Sequence, residues 1–157
     1  MARHIYTSDL CWTGNSGSGT SSYKAYERSH VISGKEKSTE IFCSSDPAFR
    51  GDKSCFNPEE LFVASVASCH MLWYLHLCAD AGVVIESYVD RPTGVLEENE
   101  EGGKMTQIDL NPLIVIRHGS DPVIAQALHK IAHQKCFIAA SIKTPVIIKA
   151  EVRIQSL

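Results

Sequence analysis

"NPEELFVASVASCHMLWYLHLCADAG", residues 57–82, is the stretch on which the reading of this chain turns. Asn57 suits a helix N-cap, because its side chain can accept from an N–H of the first turn. Pro58 suits the first helical position, where a missing N–H is no loss. Glu59 and Glu60 favour the positive end of the helix dipole, and Glu60 is spaced to complete a capping box with Asn57. Apolar residues then occupy nearly every side of the helix from Leu61 to Leu77, and Gly82 supplies a stop. The pattern predicts a helix over residues 58–81, about 36 Å long. A helix apolar all round is one buried on most sides. Yet Cys69 and His70 stand together at its centre. Small neighbours, Ala64, Ser65, Ala67 and Ser68, would let another element or a substrate approach the thiol closely.

Outward from this helix the pattern is strand-rich. Residues 2–12, 28–32 and 38–43 read as strands, the last two joined by a turn at Gly34 and Lys35. Between the first two lies "TGNSGSGTSSY", residues 13–23. It lacks the Gly-Lys-Ser/Thr of a phosphate loop and no helical pattern follows it, so it reads as a long loop. Residues 44–56 are irregular, with Pro47 and Gly51 as breakers. Beyond the helix, residues 83–89 and 104–116 read as strands. The acidic stretch between them, residues 94–105, reads as a solvated hairpin region with Gly102 and Gly103 near its bend. Asp121 caps a second helix over residues 122–135. Residues 136–141 either continue that helix or start a new turn. Residues 145–154 form a last strand. The order gives an α+β fold without regular βαβ alternation. Neither a repeat nor a linker divides the chain, so residues 1–157 read as one domain.

Composition narrows the function classes. The chain is 44% hydrophobic and 21% charged, which argues against disorder. Its formal net charge is −3, with no long Lys/Arg run, which speaks against a nucleic-acid partner. No apolar run reaches the roughly 18 to 20 residues that span a bilayer, and the first residues lack the apolar core of a signal peptide. The expectation is a cytoplasmic protein with no membrane partner. Six cysteines are too few for a disulfide scaffold of 157 residues, so most read as buried thiols.

Four residues stand out as carriers of chemistry. Cys69 is either a structural thiol in tight helix packing or a nucleophile. As a nucleophile it needs a positive charge from another segment, because it lies too far along the helix for the dipole to help. Arg50, in the preceding loop, is the best-placed cation in sequence, and Glu59 could hold it by a bidentate pair. Cys136 follows the second helix. His129, His133 and Cys136 fall on one helical face, which makes a metal site conceivable. The simpler reading makes both histidines polar boundary residues beside an apolar seam of Ile124, Leu128 and Ile131, with no metal bound. His70 points about 100° away from Cys69 around the helix axis and is no obvious partner for it. A disulfide between Cys69 and Cys78 would require the helix to unravel.

The run "NPEELFVASVASCHM" resembles the core motif of the OsmC/Ohr family, the osmotically inducible and organic hydroperoxide resistance proteins. That motif is Asn-Pro-Glu-Glu/Gln-Leu, small residues, then Ala/Ser-Cys. "AHQKCFIAASIKTPVIIKAEV" is similar to the family's second landmark, a cysteine just past a short helix and before a strand. The resemblance implies two three-stranded sheets wrapped around long helices in an intertwined homodimer. It also implies a peroxidase that reduces organic hydroperoxides. Cys69 would become a sulfenic acid and then a Cys69–Cys136 disulfide, with Arg50 stabilising the thiolate and Glu59 orienting Arg50. No cofactor is implied; an external dithiol, lipoyl groups in the best-known branch, would restore the thiols. Two positions depart from the family pattern: Phe137 stands where proline usually follows the second cysteine, and His70 where Phe commonly follows the first. They mark a divergent branch, in which a non-catalytic ligand-binding or redox-sensing protein is the alternative.

Overall fold

The structure, a computed structural model, describes residues 2–100 and 102–156. They gather into two compact units, one running to Leu61 and the other starting at Phe62.

The first unit is built on an antiparallel sheet in the order β1 (Asp9–Trp12), β2 (His30–Ser33), β3 (Ile41–Cys43). The expected first strand is thus shorter than the stretch 2–12, with only its last four residues paired. The glycine-rich loop after β1 organises itself. Asn15 Oδ1 accepts from the N–H groups of Gly17 and Gly19, at 2.9 and 3.0 Å. Arg28 lies against the rings of both Tyr23 and Tyr26, at 4.3 and 4.2 Å from their centroids. Past β3, a 3-10 turn at Pro47–Phe49 is capped by Asp46, which accepts from the Ala48 N–H at 2.7 Å. Arg50 ends that turn in the left-handed region, φ 67°. Gly51 then passes so close to the Ser45 carbonyl that a Cβ would sit 1.6 Å from its oxygen, so only glycine fits.

Helix α1 (Pro58–Asp80) starts with the expected capping box. Asn57 Oδ1 accepts from the Glu60 N–H at 2.8 Å, and Glu60 Oε2 accepts from the Asn57 N–H at 3.1 Å. It ends where Gly82 adopts φ 71° and the Val83 N–H reaches back to the Cys78 carbonyl at 2.9 Å.

The second unit adds β4 (Ile85–Val89), β5 (Thr93–Asn99), β6 (Gly102–Leu110), β7 (Leu113–Ile116), α2 (Pro122–Lys135), α3 (Phe137–Ala140), β8 (Val146–Ile148) and β9 (Glu151–Ile154). Its strands form two sheets, β4-β7-β9 and β5-β6-β8, so the described residues hold three three-stranded sheets rather than two. The expected strand over 104–116 is two strands, because Pro112 has no N–H to give the ladder. The expected strand over 145–154 breaks at the matching place, between β8 and β9. Two bonds carry the pairing across the break: Lys149 N–H to Leu110 O at 2.8 Å, and Glu151 N–H to Pro112 O at 2.9 Å. The acidic stretch supplies a full strand, β5, paired antiparallel with β6. The solvated hairpin expected here is thus formed, with β5 exposed along its length.

Two clusters seat α1 in this unit. Val63, Val66 and Ala67 pack with Ile108 and Leu110; Tyr74 and Cys78 pack with Ile114, Ile116 and the Ala125, Leu128 and Ala132 of α2. One correction concerns length and polarity. By those criteria alone α1 could cross a bilayer, and only 33% of its most apolar window is buried. The same criteria are met by core helices, and Val66, Tyr74 and Cys78 are fully buried in these clusters.

Asn57→Ala removes one acceptor of the capping box. Urea unfolding should show a loss of about 1 kcal/mol, with Asn57→Asp close to wild type.

Candidate active site

Cys69 is half-buried on α1, and Cys136 is buried at the end of α2. Cys136 leaves α2 with extended backbone, φ −67° and ψ 109°, and caps α3, its sulfur accepting from the Ala139 N–H at 3.4 Å. A new helical turn therefore starts here, the second of the two readings left open above. The Cys69 thiol lies close enough to Cys136 to act on its titration. Burial, and then the Cys69 thiol, push Cys136 up to about 11. Both are free thiols. Cys78, by contrast, faces the core and is closed off.

An aromatic rim adjoins the thiols. Phe137, 67% exposed, stands edge-on to Trp73 with centroids 5.6 Å apart. Trp73 also meets His76 edge-on at 5.8 Å, and Lys135 Nζ lies 5.4 Å from the Trp73 ring. Leu72 extends the apolar surface.

On the inner side of α1 lies a feature that the sequence reading missed. His70 Nε2 and His129 Nδ1 are 3.0 Å apart, so one ring donates its N–H to the bare nitrogen of the other. The residues are 1% and 4% exposed. Their rings are near-parallel, and His129 in turn stacks on Tyr74 with centroids 3.9 Å apart. His129 is thus no boundary residue. The signal was available: Ala125, Leu128 and Ala132 define the buried face of α2, and 129 falls on it, as 70 falls on the 63–66–74–78 face of α1. Of the His129, His133, Cys136 spacing, His129 is turned to His70. Among the described residues no three His, Cys, Asp or Glu are gathered to hold a metal ion.

Arg50 and Glu59 both belong to the first unit. Arg50 is exposed after the 3-10 turn, and Glu59 is half-buried in the first turn of α1. Among the described residues no ion pair joins them, and it is Glu60 that the capping box uses.

Burial holds both imidazoles neutral. Loss of solvent, with a smaller contribution from nearby His133, lowers His70 to about 4; loss of solvent and then His70 lower His129 to about 3. In the unfolded chain both titrate near 6.5. Between these values the unfolded state binds more protons, so stability rises with pH. It is fully present above about 6.5 and is lost progressively as pH falls through 4 toward 3. Thermal unfolding followed over that range should show this loss. The double variant His70→Leu/His129→Leu should flatten it, because neither titrating group remains.

Comparison with known proteins gives a consistent answer. A family model described as OsmC-like protein matches residues 51–151. A Vibrio cholerae OsmC-like protein of unknown function shares 30% identity and a TM-score of 0.82, over 98% of this chain and 100% of that one. At lower identity the likeness is one of fold. An organic hydroperoxide resistance protein from Elizabethkingia anophelis shows 18% identity and a TM-score of 0.68, over 98% and 100% of the two chains. One from Legionella pneumophila shows 20% and 0.62, over 96% and 98%. No curated protein sequence matches the chain. The motif around Cys69, the α+β fold and these matches agree: the chain belongs to the OsmC-like family.

Proposed function

We propose that this protein is a thiol-dependent peroxidase for organic hydroperoxides. The observation that carries the reading is the proximity of Cys69, half-buried on α1, to Cys136, buried at the junction of α2 and α3, close enough for one thiol to act on the other. The Cys69 thiolate attacks the distal oxygen of the hydroperoxide. The O–O bond breaks, the alkoxide takes up a proton and leaves as an alcohol, and Cys69 is oxidised to a sulfenic acid. The Cys136 sulfur then attacks the Cys69 sulfur. Its proton leaves with the hydroxyl as water, and a disulfide forms. An external dithiol reduces the pair by exchange, with no bound cofactor; lipoyl groups fit that role.

The exposed Phe137 and the half-buried Trp73 beside the thiols favour an apolar peroxide over hydrogen peroxide. Arg50 is the cation proposed to favour the thiolate and Glu59 the carboxylate proposed to orient it, a pairing not formed among the described residues of the single chain. Residues 1–157 act as one functional domain. They work as a cytoplasmic homodimer in which a second copy covers the exposed side of α1. Neither nucleic acid nor membrane is a partner in this reading.

Stopped-flow mixing of reduced protein with cumene hydroperoxide or hydrogen peroxide tests it. The organic peroxide should react at least about tenfold faster. Cys69→Ser should lower the rate about a thousandfold or more, while Cys136→Ser should still complete one turnover and accumulate the sulfenic acid. Arg50→Ala should slow the first step by about tenfold to a hundredfold through loss of thiolate. Rates no better than free cysteine would instead mark a ligand-binding or redox-sensing protein built on the same fold.

A further inference from the structure

The His70–His129 bond is an unusual way to join two helices. Two apolar side chains would fill the same space without taking polar rings out of water. Both outer nitrogens, His70 Nδ1 and His129 Nε2, are buried without a protein hydrogen-bond partner. What a single N–H···N bond supplies, and apolar packing does not, is a fixed distance and a fixed rotation. Its location gives that rigidity a use. His70 directly follows Cys69, and His129 lies about two turns of α2 before Cys136. Among the described residues no other side-chain hydrogen bond joins α1 to α2. His129 is backed by the Tyr74 ring, which limits its rotation.

We propose that His70 and His129 are positioning residues: their hydrogen bond locks α1 and α2 in the register that keeps the Cys136 thiol against Cys69. The inference rests on the reading of these two thiols as the working pair. It adds that their reach is set from the core side, by a bond that touches neither sulfur. When Cys69 is oxidised, the lock holds Cys136 where it can attack, which raises its effective concentration. His70 bonds through Nε2, where a glutamine amide also reaches, and His129 through Nδ1, where an asparagine amide reaches. His70→Gln and His129→Asn are therefore the conservative variants, and His70→Asn is the one whose amide falls short.

Two readouts on the intact protein test the proposal. The first is the pH profile of Cys136 alkylation by iodoacetamide, read by mass spectrometry in Cys69-containing protein. The second is the dithiol–disulfide equilibrium in glutathione buffers. His70→Asn and the apolar pair His70→Leu/His129→Leu should shift the Cys136 profile downward, because the Cys69 contribution is lost while burial remains, and change the equilibrium constant about tenfold or more. His70→Gln and His129→Asn should stay within about threefold of wild type. The double leucine variant keeps the helices packed, so it separates positioning from folding; His70→Asn against His70→Gln makes the same comparison at a single site. Wild-type values in both readouts for the folded His70→Asn or double leucine variant would overturn the proposal. If the wild-type chain forms no Cys69–Cys136 disulfide, but the variants still move the Cys136 profile, the peroxidase reading fails and the positioning role stands.

Discussion

Helix α1 is apolar around nearly its whole circumference, so it needs cover on most sides, and the rest of the second unit is arranged to cover one long face of it. Its first half packs on β6, its second half on β7 and α2. Because β6 and β7 are one path interrupted at Pro112, a bent strand pair can follow the helix along its length. The two parallel pairings, β6 with β8 and β7 with β9, bring the C-terminal strands back along the same line. α2 and α3 lie between β7 and β8 in the chain and so deliver Cys136 to the helix that carries Cys69.

That arrangement assigns each face of α1 a separate task. The face of Val63, Val66, His70, Tyr74 and Cys78 is core. The face of Ala64, Ser65, Ser68 and Leu72 is open, and in the proposed homodimer a second copy covers it. Cys69 sits between the two, half-buried, where a peroxide can reach it. Cys136 is its opposite: buried and raised, it is protected from direct oxidation and has Cys69 as its neighbour. A pair divided in this way suits one attacking thiol and one resolving thiol.

The helices were the most legible part of the sequence, because their signals are local. Asn57, Glu60, Gly82 and Asp121 act within one turn of where they stand, and the structure uses each as expected. The strands were less legible where one residue overrode a pattern. Pro112 cut a continuous apolar run into β6 and β7. The thiols were legible only through the resemblance, since nothing local in the sequence ties residue 69 to residue 136. The histidine pair was legible in part: helical periodicity places each ring on a core face. That the two faces meet is a tertiary fact, 59 residues apart in sequence. Arg50 and Glu59 show the reverse case, a pairing suggested by sequence that is not formed among the described residues.

Peptide mapping of the protein after one equivalent of cumene hydroperoxide tests the central claim most directly. The account predicts a single new cross-link, Cys69 to Cys136 within one chain, with Cys11, Cys43, Cys55 and Cys78 still alkylatable after unfolding. A cross-link between Cys43 and Cys55, or Cys69 recovered as a sulfinic acid with Cys136 still a free thiol, would contradict it.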